Sequence, residues 1–229
     1  MSEFFRFPST PHLFAAKGAE LPRDDKLLSA SALRELLAGE VTVEEKLDGA
    51  NVGISIDSHG NVQMQNRGTY LIPPFSGQFA RLEQWLRQHE DHLFDVLSGN
   101  PELILFGEWC AARHSLGYAS LPDWWLMFDV YDRRAGRFWS VAERNRLARQ
   151  LGVAVVPCLF RGAVTPSKLE EFLEAWQSHY REGPMEGLVV RRDDGAWLHS
   201  RGKLVRADFS QTIEEHWRSR PIEWNRIKF

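Results

Sequence analysis

The sequence predicts an α+β fold, and three patterns lead to it. Short segments alternate apolar with polar residues, Val41 and Val43 against Thr42 and Glu44 and then Val52 to Ile56, and glycine-containing turns separate them, as in antiparallel hairpins. Trp125 to Tyr131 is the strongest strand in the chain, dense in aromatic and apolar residues. Elsewhere the apolar residues fall at helical spacing, as in Phe79, Leu82, Trp85, Leu86, Leu93, Val96 and Leu97.

Residues 4–28 read as an irregular segment, punctuated by Pro8, Pro11 and Pro22 but too apolar to be a disordered tail. Ser29 or Ser31 caps a short helix carrying Leu33, Leu36 and Leu37, and Gly39 ends it. A hairpin through Asp48-Gly49 follows. Asp57-Ser58-His59-Gly60 then turns the chain into a third strand, Val62 to Gln65. A helix with a break is expected over residues 76–97, with His89 and His92 facing solvent because no third ligand stands near them. Pro101 introduces the strand Leu103 to Phe106, and residues 109–121 form a loop over the cleft. After the strand 125–131, Arg133 to Gly136 turn the chain into residues 138–140, and Ser140 with Glu143 forms a capping box for a helix to Leu151. Val153 to Cys158 is a further strand, and Thr165-Pro166 opens a helix carrying Leu169, Phe172, Leu173 and Trp176. Short strands with hairpin turns follow over 185–191, 197–199 and 203–205. A last amphipathic helix is expected from Phe209 to Arg218.

The chain has 229 residues, enough for one sizeable core or two small ones, and no linker or internal repeat divides it, so one domain spanning 1–229 is expected. No apolar run reaches membrane-spanning length, the start lacks the regions of a signal peptide, and Cys110 and Cys158 form no metal or disulfide pattern; the expectation is a cytoplasmic protein without membrane contact. With 28 basic and 31 acidic residues the net charge is −3, so any polyanion site must be local. Arg144, Arg146 and Arg149, on one helix, read as a solvated face. Arg191, Arg192, Arg201, Lys203 and Arg206 lie on strands that also carry candidate site residues.

Lys46 ends the first strand of the hairpin, flanked by Glu44, Glu45 and Asp48 and followed by the Asp48-Gly49 turn. An amine attacks only when neutral, and burial or cationic neighbours lower its pKa from about 10.4, so a strand-end lysine pointing into a cleft suits nucleophilic work. An ordinary solvated turn lysine is the other reading.

Further segments stand in order around this one: Asn66-Arg67-Gly68, Phe106-Gly107-Glu108-Trp109, Trp125 to Val130, Glu186-Gly187-Leu188-Val189-Val190-Arg191 and Lys203-Leu204-Val205-Arg206. With Lys46-Leu47-Asp48-Gly49-Ala50-Asn51 they resemble the six collinear motifs of the covalent nucleotidyltransferases, the superfamily of ATP-dependent ligases and mRNA capping enzymes. The resemblance covers roughly residues 40–210. It implies antiparallel sheets around a nucleotide cleft flanked by helices, and a reaction in which Lys46 takes AMP from ATP.

By the same resemblance, Glu45, Asp48, Asn51, Arg67, Glu108, Trp125, Glu186 and Lys203 would join Lys46 in binding ATP or AMP. Trp125 would stack on the adenine while Phe128 packs on the opposite side; Glu186 and Glu108 would hold Mg²⁺ or Mn²⁺, directly or through water, and Lys203 would touch the α-phosphate during catalysis. His12 could reach a phosphate, though a structural histidine is an equal reading, and Arg113 and Arg206 are candidate RNA contacts. The sequence departs from the pattern at Val205, where ligases usually carry a second motif V lysine; Arg206 or Arg201 could supply the charge, but alternation puts Arg206 on the face opposite Lys203.

Only 20 residues follow Phe209, too few for an appended OB-fold, so the chain is most similar to the T4 RNA ligase 2-like group reduced to its catalytic core. The implied function is ATP-dependent sealing of RNA ends through lysyl-AMP, with an end-processing repair protein as a candidate partner. The alternatives are a minimal DNA or nick ligase and a nucleotide-binding subunit that needs a partner for strand binding.

Overall fold

A computed structural model describes residues 4–16, 18, 26–207, 209 and 221–228. The elements in chain order are α1 (Ala30–Leu36), β1 (Val41–Lys46), β2 (Ala50–Ile56), β3 (Val62–Gln65), β4 (Tyr70–Leu71), α2 (Leu82–Gly99), β5 (Leu103–Trp109), β6 (Trp125–Asp132), β7 (Arg137–Phe138), α3 (Val141–Leu151), β8 (Ala154–Val155), β9 (Cys158–Gly162), α4 (Pro166–Ala175), β10 (Gly187–Asp194) and β11 (Trp197–Val205). Their caps follow local chemistry: Ser29 Oγ, Ser140 Oγ and Thr165 Oγ1 accept backbone N–H groups in the first turns of α1, α3 and α4, and Gly152 takes the left-handed position that ends α3.

The strands form two sheets. A four-stranded sheet runs β11-β10-β1-β9, and a seven-stranded sheet runs β4-β3-β2-β5-β6-β7 with β8 beside β6. Pairing is antiparallel except for β6 with β8. The chain is α+β, as its alternating segments imply, but the expected hairpin through Asp48-Gly49 is not one. β1 pairs with β10 and β9, whereas β2 pairs with β3 and β5, so the turn is a crossover between sheets. Periodicity identifies strands and says nothing about which strands pair; the tight turn alone could not tell a hairpin from a crossover. The expected strand 153–158 divides for a related reason: residues 154–155 join the larger sheet, and the chain leaves it around Pro157 to start β9 in the smaller.

Each sheet has its own core. Trp85, Leu93 and Leu97 of α2 and Leu147 and Leu151 of α3 pack on Val52, Ile54, Leu105, Trp125 and Met127 of the larger sheet. Leu36 of α1 and Leu169, Phe172 and Leu173 of α4 pack on Val41, Val43, Leu188, Val190 and Leu204 of the smaller. Each such side chain contributes about 1.5–3 kcal/mol of transfer free energy. The 76–97 helix breaks as expected, into a 3₁₀ turn at Gly77–Phe79 and α2. The 185–205 stretch is a single long hairpin, β10–β11.

Three further expectations are corrected. Arg144 does not face solvent: it is fully buried, with its guanidinium on Glu44 at 2.6 Å and on the carbonyl of Phe128. His89 is stacked on Trp85, its Nδ1 at 2.9 Å from the carbonyl of Trp85. The loop after β5 does not cover the cleft; Cys110, Ala111, Ala112, Tyr118 and Leu121 are buried behind the Asp48 turn. Apart from Phe209 itself, the expected helix to Arg218 lies outside the described residues. Among the described residues no helix is long and apolar enough to cross a membrane.

Candidate active site

A cavity of about 540 Å³ opens between the two sheets at the crossover. Its smaller-sheet wall follows from strand register. Lys46 pairs with Gly187 and Gly187 with Val205; one step along, Glu44 pairs with Val189 and Val189 with Lys203. Cross-strand partners share a face and alternate residues return to it, so Lys46, Glu44, Val189, Lys203, Val205 and Arg201 all look into the cavity. The larger sheet supplies Asn51, Glu108, Phe128 and Asp129, while Arg67 lines the cavity from beyond β3. Residues 7–12 border a further side, with His12 bridging Lys203.

Lys46 is the centre of this arrangement. Its Nζ lies 2.6 Å from Glu186 Oε1, and 26% of the side chain remains accessible through the cavity. Burial disfavours its ammonium, but the carboxylates of Glu186, Glu108 and Asp48 together outweigh that and hold its pKa above the usual lysine value. Burial pushes Glu108 up to about 7 and Glu186 up to about 8, with Lys46 opposing the rise in both. Glu108 Oε1 accepts the N–H of Gly49 at 3.1 Å. A Cβ at Gly49 would stand 2.6 Å from the carbonyl oxygen of Trp109 and 3.0 Å from Glu108 Cγ, so only glycine lets the turn approach β5 this closely.

Two buried acceptors here have no hydrogen-bond partner, Glu186 Oε2 and Asn51 Oδ1. Buried oxygens of this kind are normally satisfied, so the site is shaped for something that donates to them or coordinates them. Among the described residues no group of three His, Cys, Asp or Glu side chains could hold a metal ion. Glu108 and Glu186 both line the cavity, a pair of carboxylates rather than a complete ligand set.

Several expected site residues lie elsewhere. Trp125 is fully buried among Trp85 and the larger core, its Nε1 donating to the carbonyl of Val52 at 3.1 Å, and it cannot stack on a base. Phe128 takes the cleft position. The reason is a bulge: Phe106 pairs with Asp129 but Gly107 with Met127, so Phe128 is the extra residue and Phe128 and Asp129 both turn to the cavity. Glu45 borders the cavity, but its carboxylate is engaged away from Lys46, accepting Ser178 Oγ–H at 2.5 Å and His179 N–H at 2.9 Å. Asp48 does not line the cavity; its Oδ2 accepts the N–H groups of Ser115 and Leu116, both at 2.7 Å. Arg206 donates to the carbonyl of Leu173 on α4, and Arg113 pairs with Glu223 at 2.6 Å. Neither lines the cavity, whereas Arg201 does, on the same strand face as Lys203.

Along the cavity floor lies a charged layer that sequence reasoning missed, with Arg144 behind it. Glu44 meets Arg144 at 2.6 Å and Arg191 at 3.8 Å, and Asp129 meets Arg191 at 2.6 Å and also Arg201. Arg144 and Arg191 both donate to the carbonyl of Phe128, at 2.8 and 3.2 Å. The cleft aromatic is thus held by its backbone from α3 and from β10. No sequence motif marks Arg144; it sits at ordinary helical spacing among arginines that do face water.

A family model for RNA ligases matches residues 39–205. No curated protein matches the sequence. Solved structures do: the Naegleria gruberi RNA ligase with PPi superposes with a TM-score of 0.61 at 19% identity, over 93% of this chain and 65% of that one. A point mutant of the same ligase, with ATP and Mn, gives 0.59 at 19%, over 90% and 59%. A putative ATP-dependent DNA ligase from Aquifex aeolicus gives 0.58 at 23%, over 88% and 50%. At these identities the structural likeness speaks for the fold, and the chain spans between half and two thirds of the length of these proteins.

Proposed function

The chain belongs to the RNA ligase family, and from that premise we propose that it is an ATP-dependent RNA ligase working through a lysyl-AMP intermediate, with residues 1–229 forming one nucleotidyltransferase domain of the T4 RNA ligase 2-like group. The observation that carries the reading is the convergence on Lys46. The Lys46 amine stands 2.6 Å from a buried carboxylate in a cavity that also holds Glu108, Asn51, Arg67 and Lys203.

In the first step Lys46 Nζ, having given up its proton, attacks the α-phosphorus of ATP; the N–P bond forms as the bond to pyrophosphate breaks. Glu186, 2.6 Å from Lys46 Nζ, is placed to accept that proton when its carboxyl group is ionised and not yet holding a cation. Lys203, on the same face one row along, stabilises the charge that grows on the phosphoryl oxygens. Phe128 offers an aromatic face to the base, with Val189 as an apolar wall, and Arg67 is a guanidinium for phosphate or ribose. Glu108 and Glu186 fit a divalent cation, Mg²⁺ or Mn²⁺, which when bound neutralises phosphate charge and favours the neutral amine of Lys46. An RNA 5′-phosphate oxygen then displaces the lysine from the adenylate phosphorus. In the last step a 3′-hydroxyl attacks that 5′-phosphate and AMP leaves.

The Aquifex likeness keeps a minimal DNA or nick ligase as the second reading. A third is a nucleotide-binding subunit, to which the acidic net charge would fit. The deciding experiment offers 5′-phosphorylated RNA and DNA strands, open and nicked, to the adenylated protein. AMP capping and sealing of RNA ends is the expected result. Sealing of DNA alone would favour the second reading, and adenylation without strand binding at any salt concentration the third.

A further inference from the structure

Residues 221–228 are tied to the loop that follows β5 by a dense set of bonds. Asn225 is buried; its Nδ2 donates to the carbonyls of Cys110 at 2.8 Å and Ala112 at 3.3 Å, and its Oδ1 accepts the N–H of Tyr118 at 2.8 Å. Its backbone N–H reaches the carbonyl of Ala111, that of Arg226 reaches Tyr118, and that of Leu121 reaches Arg226. One asparagine side chain thus fixes three points of the 110–118 loop, using both halves of its amide.

The far side of that loop holds the turn after Lys46. Ser115 and Leu116 donate their N–H groups to Asp48 Oδ2, and the hydroxyl of Tyr118 accepts the N–H of Asp48 at 2.8 Å. Gly49 in turn donates to Glu108. The path Asn225, Tyr118, Asp48, Lys46 is continuous, every step is a hydrogen bond or a short run of backbone, and Asn225 and Tyr118 are both buried.

We propose that Asn225 is a positioning residue for the reaction at Lys46: segment 221–228 clasps the 110–118 loop, and the loop holds the Asp48-Gly49 turn so that Lys46 meets the α-phosphorus in line. This rests on the reading of Lys46 as the nucleophile. Displacement of a reacting group by about 1 Å costs on the order of 10²-fold in rate. Asn225→Asp keeps the shape but presents oxygen to the two carbonyls that Nδ2 now serves.

The test is single-turnover adenylation at saturating ATP and divalent ion, comparing the native chain, Asn225→Asp and Tyr118→Phe. The rate constant reports on the folded molecules alone, whereas a purely structural lesion lowers only the amplitude. We expect the rate constant to fall roughly 10- to 100-fold in both variants, with the KM for ATP changed less than about threefold. Native rate constants with reduced amplitude or melting temperature overturn the proposal. If Asn225→Asp does not fold, Asn225→Ala, which removes the amide without setting an oxygen against the two carbonyls, takes its place, and Tyr118→Phe, which removes one hydroxyl and keeps the ring, tests the next link of the path. Failure of the native chain to form lysyl-AMP would instead overturn the reading of Lys46, and so is distinguishable.

Discussion

The two sheets are built on opposite terms. The larger packs α2 and α3 on a broad apolar face and brings Asn51, Glu108 and Phe128 to the cleft; the smaller has a lesser core under α1 and α4 yet carries Lys46, Glu186 and Lys203. Where they meet, the contact along the cavity floor is not apolar but ionic, Arg144 and Asp129 from the larger sheet's side against Glu44, Arg191 and Arg201 from the smaller. Each sheet has its own apolar core, while the seam joins the two and fixes how the two sets of site residues face one another. A buried ion layer is directional, as an oily contact is not, and directional contacts suit a site assembled from two walls.

Breaking the seam is expected to have the largest effect. Arg144→Met strands Glu44 beside a single remaining cation and should cost about 3–5 kcal/mol, measured by denaturant unfolding; adding Glu44→Leu should recover part of that loss. If Arg144→Met costs less than about 1 kcal/mol, the seam is not held by charge. The aromatic pair on β6 separates core from cleft more finely. Trp125→Ala should lose about 3–5 kcal/mol of stability, whereas Phe128→Ala should change stability little and raise the KM for ATP roughly tenfold, the worth of one stacked ring. Reversed effects would restore Trp125 as the base platform.

The acid–base balance of the cavity gives a smaller effect with a definite sign. Glu108 and Glu186 bind protons more tightly in the folded chain than at their ordinary 4.5, so each loses stabilising influence as pH rises, and ligand-free stability should decline from about pH 5 through about pH 8. Lys46 stays protonated across that window and adds no slope. Burial raises Glu45, Asp123 and Asp193 as well, with the same sign. Divalent ion isolates the site: the rise in melting temperature on adding Mg²⁺ or Mn²⁺ should be larger at about pH 8 than at about pH 6, and should shrink in Glu186→Gln. A rise independent of pH would place the ion elsewhere. At the bottom of the scale, Lys168→Ala on α4 breaks an exposed pair with Glu171 and should cost no more than about 0.5 kcal/mol.

Elements were legible in the sequence where a single period governs them. The alternation of 41–46 and 52–56, the helical spacing of 82–97 and the caps at Ser29, Ser140 and Thr165 all have local causes. Sheet membership has none, because the side chains of β1 and β2 read alike whether the strands pair with each other or part. The cavity-lining positions Lys46, Asn51, Arg67, Glu108, Glu186 and Lys203 were legible from motif order. Phe128 was not, since a bulge adds one residue to a strand and shifts every face assignment beyond it. Arg144 and Asn225 escaped because their importance comes from partners about a hundred positions away in the chain.

The most direct test of the central claim is incubation with α-labelled ATP and Mg²⁺ or Mn²⁺, denaturing electrophoresis and peptide mapping, for the native chain and for Lys46→Ala. Label retained on the peptide containing Lys46, absent from the variant and chased onto 5′-phosphorylated RNA, is the predicted result. No covalent AMP with either ion, or label that persists in Lys46→Ala, would contradict it.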